Sequence, residues 1–161
     1  DRVLLVCARL KKLNSDNFPA LTIIGSKAFY LCSITSVDLP HLKLVSNDGF
    51  YRLKLLKHFF AQNLKVIGAN CFYESSLLNA IWCTLDSKQF ICECGKCPVC
   101  RNQLQRCLKK GEAMEKFEQI EPIVKKKLQQ KDSSSKFIFQ MKNTLQGLQT
   151  NIQNTFEIGG E

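Results

Sequence analysis

The 161-residue chain has room for one domain, or for one domain and a tail. Its 23 Lys and Arg against 14 Asp and Glu leave a net charge of +9, but the lysines are dispersed, which reads as a solvated surface more than as a face built for polyanions. No run approaches the roughly 18 apolar residues that a membrane span needs. Nor is there a glycine-rich phosphate loop, a G-x-S-x-G elbow or a His-Glu-x-x-His helix, so the chain is not expected to be an enzyme.

The segment Arg2-Val3-Leu4-Leu5-Val6-Cys7-Ala8 is too short for a secretory leader and lacks a cleavage context. A cytoplasmic location is expected, with secretion or the cell surface as the alternative if a signal lies upstream. Leu10-x-x-Leu13 and Leu21-x-x-Ile24 then open a ladder of apolar residues that recurs along the next 60 or so positions. Phe29, Phe50 and Phe72 recur at steps of 21 (29 to 50) and 22 (50 to 72) residues. Ile24, Val45 and Ile67 keep the same steps, and carrying them onward aligns Ile34 with Leu55 and Leu77. A unit this short cannot bury its own apolar side and must stack on its neighbours. Ala28, Gly49 and Cys71 precede each Phe, where only a small side chain is expected to fit.

The run Ile24-Gly25-Ser26-Lys27-Ala28-Phe29-Tyr30-Leu31-Cys32-Ser33-Ile34-Thr35-Ser36-Val37-Asp38-Leu39-Pro40 resembles the unit of BspA-type leucine-rich repeats, I-G-x-x-A-F-x-x-C-x-x-L-x-x-I-x-L-P. The resemblance covers about residues 10–83. It implies an α/β solenoid, a leucine-rich-repeat array with short parallel strands, of three to four units within residues 1–91. It also implies a role in adhesion or protein binding, without catalysis.

Within that frame the inward ladder is expected to be Ile34-x-x-Val37-x-Leu39, then Leu55-x-x-His58-x-Phe60, then Leu77-x-x-Ala80-x-Trp82. Alternating positions then point outward and form the expected partner-binding face: Thr35, Ser36 and Asp38; Leu56, Lys57 and Phe59; Leu78, Asn79 and Ile81. Four apolar residues on an exposed sheet suggest a protein partner. His58 reads as a satisfied core residue and His41 as an exposed corner.

Nine cysteines allow no even pairing. Cys32 and Cys71 read as buried small hydrophobes of the repeat. Residues 92–107 form a Cys-rich segment in which Cys92, Cys94, Cys97 and Cys100 are the candidate metal ligands. Cys94-x-x-Cys97-x-x-Cys100 has zinc-knuckle spacing, with Gly95 and Pro98 favouring tight turns, and a fourth thiolate has to come from Cys92 or Cys107. Disulfides and plain free thiols are open alternatives, and the odd number favours a reducing compartment. Cys97-Pro98-Val99-Cys100-Arg101 looks like the last pair of a RING finger, but the other ligands of that motif are missing.

Residues 108–161 read as a helical tail of two helices, a cap for the solenoid or a coiled coil. Leu104, Leu108, Met114, Phe117, Ile120 and Val124 fall at helical spacing, with Pro122 starting a new helix or kinking the first. Lys131–Ser135 reads as a linker, followed by a stripe of Phe137, Met141, Leu145, Leu148, Ile152 and Phe156. The leading expectation is therefore a protein-protein interaction module, with the last helix as a candidate for self-association. The alternative is a zinc-stabilised adaptor or polyanion-binding protein that works through the Cys cluster and Lys125-Lys126-Lys127. Nucleic acid and membrane are not the expected partners.

Overall fold

The computed structural model describes residues 9–129 and 143–148. The chain divides into two compact units, Asp1–Gly111 and Glu112–Glu161. In the first unit, short parallel strands alternate between two sheets. Strands β1 (Lys12–Asn14), β3 (Ser36–Asp38), β5 (His58–Ala61) and β7 (Ala80–Cys83) form a four-stranded sheet in the order β1-β3-β5-β7. Strands β2 (Ile23–Ile24), β4 (Leu44–Val45) and β6 (Val66–Ile67) form the second, in the order β2-β4-β6. Every pairing is parallel and joins equivalent positions of successive coils, the arrangement of a solenoid.

The core is built from stacked rows. Leu13, Val37, Phe59 and Ile81 pair in register across the first sheet and are completely buried. Ile24 and Val45 do the same in the second sheet, with Ile67 packed against them. The three phased phenylalanines stack along the axis. Phe29 lies 6.0 Å from Phe50 and Phe50 lies 6.1 Å from Phe72, with planes within 11°. Phe59 meets Phe50 and Phe72 edge-on at 5.4 and 5.1 Å. Such pairs add about 0.5–1.5 kcal/mol each to the burial itself.

The coils turn through two left-handed corners apiece. Lys27, Asp48 and Asn70 have φ of 54–58°, and Leu31, Arg52 and Glu74 have φ of 58–61°. Each costs a non-glycine residue about 1–3 kcal/mol in isolation. Backbone bonds to the next coil hold them: Lys27 N–H to Asp48 O (3.1 Å), Asp48 N–H to Ala69 O (3.0 Å), Arg52 N–H to Tyr73 O (2.8 Å) and Asn70 N–H to Ile91 O (2.8 Å). Room before each Phe is as limited as expected. Ala28 and Cys71 are buried there, and a Cβ on Gly49 would run into Val45.

The ladder phase needs correction in the second and third coils. Register pairs Val37 with Phe59 and Ile81, so Ile34 is matched by Leu56 and Leu78. Leu56, Phe59, Leu78 and Ile81, expected outside, are buried in the core, whereas Leu55 and Leu77, expected inside, are 42% and 46% exposed. His58 is half-buried on the outward side instead of in the core. The cause is one extra residue. Cys32-Ser33-Ile34 becomes Leu53-Lys54-Leu55-Leu56 and then Ser75-Ser76-Leu77-Leu78, and a shift of one position exchanges the two faces of a strand.

After β7 the chain makes a 3-10 turn at Ser87–Gln89, capped by Asp86, and then the Cys-rich segment. Helix α1 runs Leu104–Gln129, so it starts four residues before the expected tail, and Pro122 lies inside it. In the first unit, Leu104 and Cys107 are buried, and Gly111 brings the helix against β7. A Cβ at Gly111 would overlap the Ile81 carbonyl. In the second unit, Lys116 pairs with Glu112 one turn away at 2.6 Å, and residues 143–148 are helical. The expected linker at 131–135, most of the last stripe, and Val3–Cys7 lie outside the described residues. Among the described residues no helix is long and apolar enough to cross a membrane.

Candidate metal centre and strand face

The Cys-rich segment is positioned by the last repeat. The capped turn delivers Phe90 onto Phe72, 6.3 Å away with planes 17° apart. Ile91 O then accepts the Asn70 N–H, and the Asn70 side-chain oxygen accepts the Glu93 N–H at 3.4 Å. Gly95, at φ 71°, opens a tight turn with free space around it. A second turn follows Pro98, closed by Arg101 N–H to Cys97 O (3.1 Å) and Gln103 N–H to Pro98 O (2.9 Å).

These turns bring the sulfurs of Cys92, Cys94, Cys97 and Cys100 within 4.8 Å of one another. Cys94 and Cys100 are 3.8 Å apart, and Cys97 and Cys100 3.6 Å. Four thiolates around a metal at about 2.3 Å leave tetrahedral edges of about 3.8 Å, so the cluster has the dimensions to hold a metal ion. None of the eight described cysteines is joined in a disulfide. Cys92, and not Cys107, is the fourth member of this cluster. Cys107 is buried and lies against the Leu78 carbonyl at 3.7 Å. Burial pushes its thiol up to about 11 despite Lys110 and Arg106.

Backbone N–H groups are aimed at the sulfurs. Burial works to raise the Cys94 thiol, but N–H donors from Glu74 (3.4 Å), Lys96 (3.4 Å) and Cys97 (3.3 Å) outweigh it and bring it down to about 6. Burial raises Cys97 to about 11 and raises Cys92 further, each partly opposed by a backbone donor, Cys100 and Cys94 respectively. The N–H donor from Glu74 and the side chain of Asn70 are additions that sequence reasoning does not supply. Their only trace in the sequence is that Asn70 and Glu74 keep the repeat phase of Asp48 and Arg52, 22 residues earlier.

The outward face of the four-stranded sheet carries two rows. One is Lys12, Ser36, His58 and Ala80; the other is Asn14, Asp38, Phe60 and Trp82. Of the residues expected at this face, Ser36 and Asp38 are on it, and Thr35, Lys57 and Asn79 line its edge. There Thr35 N–H bonds Lys11 O, Lys57 N–H bonds Thr35 O and Asn79 N–H bonds Lys57 O. His58 stacks 6.2 Å from Phe60 with planes 12° apart. Burial, then Lys110 and Lys57, hold its imidazole below the ordinary value.

Two sheets of short, in-register parallel strands with apolar rows threading every coil define a leucine-rich-repeat solenoid. The model of the BspA type leucine rich repeat region, with 6 copies, matches residues 6–92. The chain belongs to that family, and the match begins before and ends after the stretch of 10–83 that the repeat spacing marks out. No curated protein and no solved structure matches the chain. Residues beyond 92 have no family match.

Proposed function

We propose that the chain is a non-catalytic protein-binding module that works through the outward face of the β1-β3-β5-β7 sheet. Repeat scaffolds of this family are commonly used for protein interaction. The observation that carries the reading is the polar rim of this sheet, exposed Asp38, Lys57 and Asn79 around half-buried His58 and Trp82, with Phe60 buried between Asp38 and Trp82 in their row. Charged and polar edges around an aromatic strip are the usual make-up of a protein contact.

The four-cysteine centre suits zinc, whose preferred tetrahedral thiolate set it reproduces. This makes the module zinc-stabilised, and the reduced thiols it needs favour a reducing compartment. The polyanion alternative rests on the net charge, the Cys cluster and Lys125-Lys126-Lys127, and predicts steeply salt-dependent binding.

The test is a triple variant, Asp38→Lys, Lys57→Glu and Asn79→Lys. Its stability should stay within about 1.5 kcal/mol of wild type, because each surface change seldom costs more than about 0.5 kcal/mol. It should lose the partner that cross-links to the wild-type protein in extract of its source cells. Retention of that partner by the triple variant sinks the reading. Binding of an oligonucleotide that collapses between low and moderate salt would move the function to the polyanion class.

A further inference from the structure

Every coil before the last is closed by the next. The phenylalanine stack steps 21 and 22 residues, and a fourth full coil would place its Phe near position 94. The chain instead supplies Phe90, four residues early, and stacks it on Phe72. The stretch between Phe90 and helix α1, which begins at Leu104, is too short for another coil.

The inter-coil hydrogen bonds show how the ladder ends. The left-handed corner of the second coil donates Arg52 N–H to a backbone carbonyl, Tyr73 O. The equivalent corner of the third coil, Glu74, donates its N–H to the sulfur of Cys94. A side chain of the cysteine cluster therefore occupies the acceptor place that the next repeat's backbone would fill. The Glu74 side chain reaches the same segment through Lys96, at 3.5 Å. Asn70, the other corner, binds the segment through both its N–H and its side-chain oxygen. An acceptor in this place has to be held there, and residues 90–100 contain no strand or helix to hold it.

We propose that a zinc ion bound by Cys92, Cys94, Cys97 and Cys100 serves as the terminal coil of the solenoid, fixing the sulfur that ends the inter-coil ladder and closing the stack over Phe72. The proposal rests on zinc being the metal of the four-cysteine centre. On binding, the thiols that still carry protons release them to solvent and the metal takes up four thiolates, leaving the centre with a net charge of −2. A metal-bound thiolate is an acceptor only, which matches its three N–H donors at Cys94. Solenoids need a cover at their ends, and here a metal staple stands in for a capping repeat.

The experiment uses the full chain purified without chelator. Metal content is measured, the metal is removed with a chelator, and amide hydrogen exchange is followed before, after and on adding zinc back. The expected result is one zinc per chain. Its removal should speed exchange at Asn70 and Glu74 at least tenfold and leave Lys27 unchanged, with reversal on zinc addition. One zinc per chain with unchanged exchange at Asn70 and Glu74 overturns the terminal-coil role and leaves a local zinc site standing. Failure to take up zinc, or cobalt with the absorption of a tetrahedral thiolate complex, overturns the metal reading and the inference together. Cys97→Ser should abolish uptake. If that variant fails to fold, Cys107→Ser still discriminates: it should keep one zinc per chain, and loss of zinc there would assign the fourth ligand elsewhere.

Discussion

The three coils between Leu13 and Cys83 and the segment from Asp86 to Gln103 close the same apolar stack by opposite means. In the coils, backbone bonds and buried rows repeat, so each position is fixed by its equivalents on either side: Val37 by Leu13 and Phe59, Phe50 by Phe29 and Phe72. In the terminal segment nothing repeats. Phe90 is the last member of the stack, and beyond it order depends on two turns, on bonds to Asn70 and Glu74 and on four converging sulfurs. A repeat array can thus run into a short irregular segment in place of a larger capping domain, with the Cys94 sulfur as the acceptor where the next backbone would be.

The sharpest way to break the comparison is inside the coils. Phe59→Ser should destabilise by about 3–5 kcal/mol or more, because it empties a fully buried aromatic site touching both Phe50 and Phe72 and leaves a hydroxyl behind. Leu55→Ser, in the same coil, should cost only about 0.5 kcal/mol. Denaturant unfolding of the two variants checks this. Comparable losses would mean that the extra residue after Leu53 does not set the phase of the second coil.

That pair also shows where the sequence stops being legible. The repeat, its stacked Phe and the small residue before it can be read because identical chemistry recurs at Ala28-Phe29, Gly49-Phe50 and Cys71-Phe72. The inward and outward faces cannot. Leu55 and Leu56, Phe59 and Phe60, and Ile81 and Trp82 are apolar neighbours, so hydrophobicity does not distinguish their sides, and a one-residue insertion decides everything. Spacing alone therefore puts His58 and Trp82 in the core and Phe59 and Ile81 on the surface, whereas His58 and Trp82 are half-buried on the other side of the sheet and Phe59 and Ile81 are fully buried; Phe60, also placed inside by spacing, is buried, but on the outward side. At the four-cysteine cluster, thiolate spacing names Cys94, Cys97 and Cys100. The choice of Cys92 over Cys107 depends on α1 carrying Cys107 away to Leu78, which is a tertiary event.

The junction of the two regions gives a smaller effect. Gly111→Ala improves helix propensity by about 1 kcal/mol, but the new methyl group meets the Ile81 carbonyl and the Trp82 amide, which are backbone and cannot yield. Overpacking typically costs about 1–3 kcal/mol, so the net change should be destabilising, by up to about 2 kcal/mol. A melting temperature at or above that of wild type would show that α1 does not pack this tightly on β7.

The mildest expected effect separates the regions by pH. His58 lies in the coils, on the outward face, with Lys57 beside it and Lys110 of α1 facing it. Burial first, then these two cations, disfavour its protonated form, so its folded pKa lies below the ordinary value of 6.5. Above that value both folded and unfolded chains hold a neutral imidazole and the residue adds no pH dependence. As pH falls below 6.5 the unfolded chain takes up the proton first, so stability declines until pH passes the folded pKa, where the loss levels off. His58→Gln should flatten that part of the profile, and most visibly in the exchange of β5 and β7 amides, which belong to the coils. A wild-type profile that stays flat from pH 7 to 5, or one that His58→Gln leaves unchanged, would mean that the two lysines do not act on this imidazole and that α1 lies differently along the sheet.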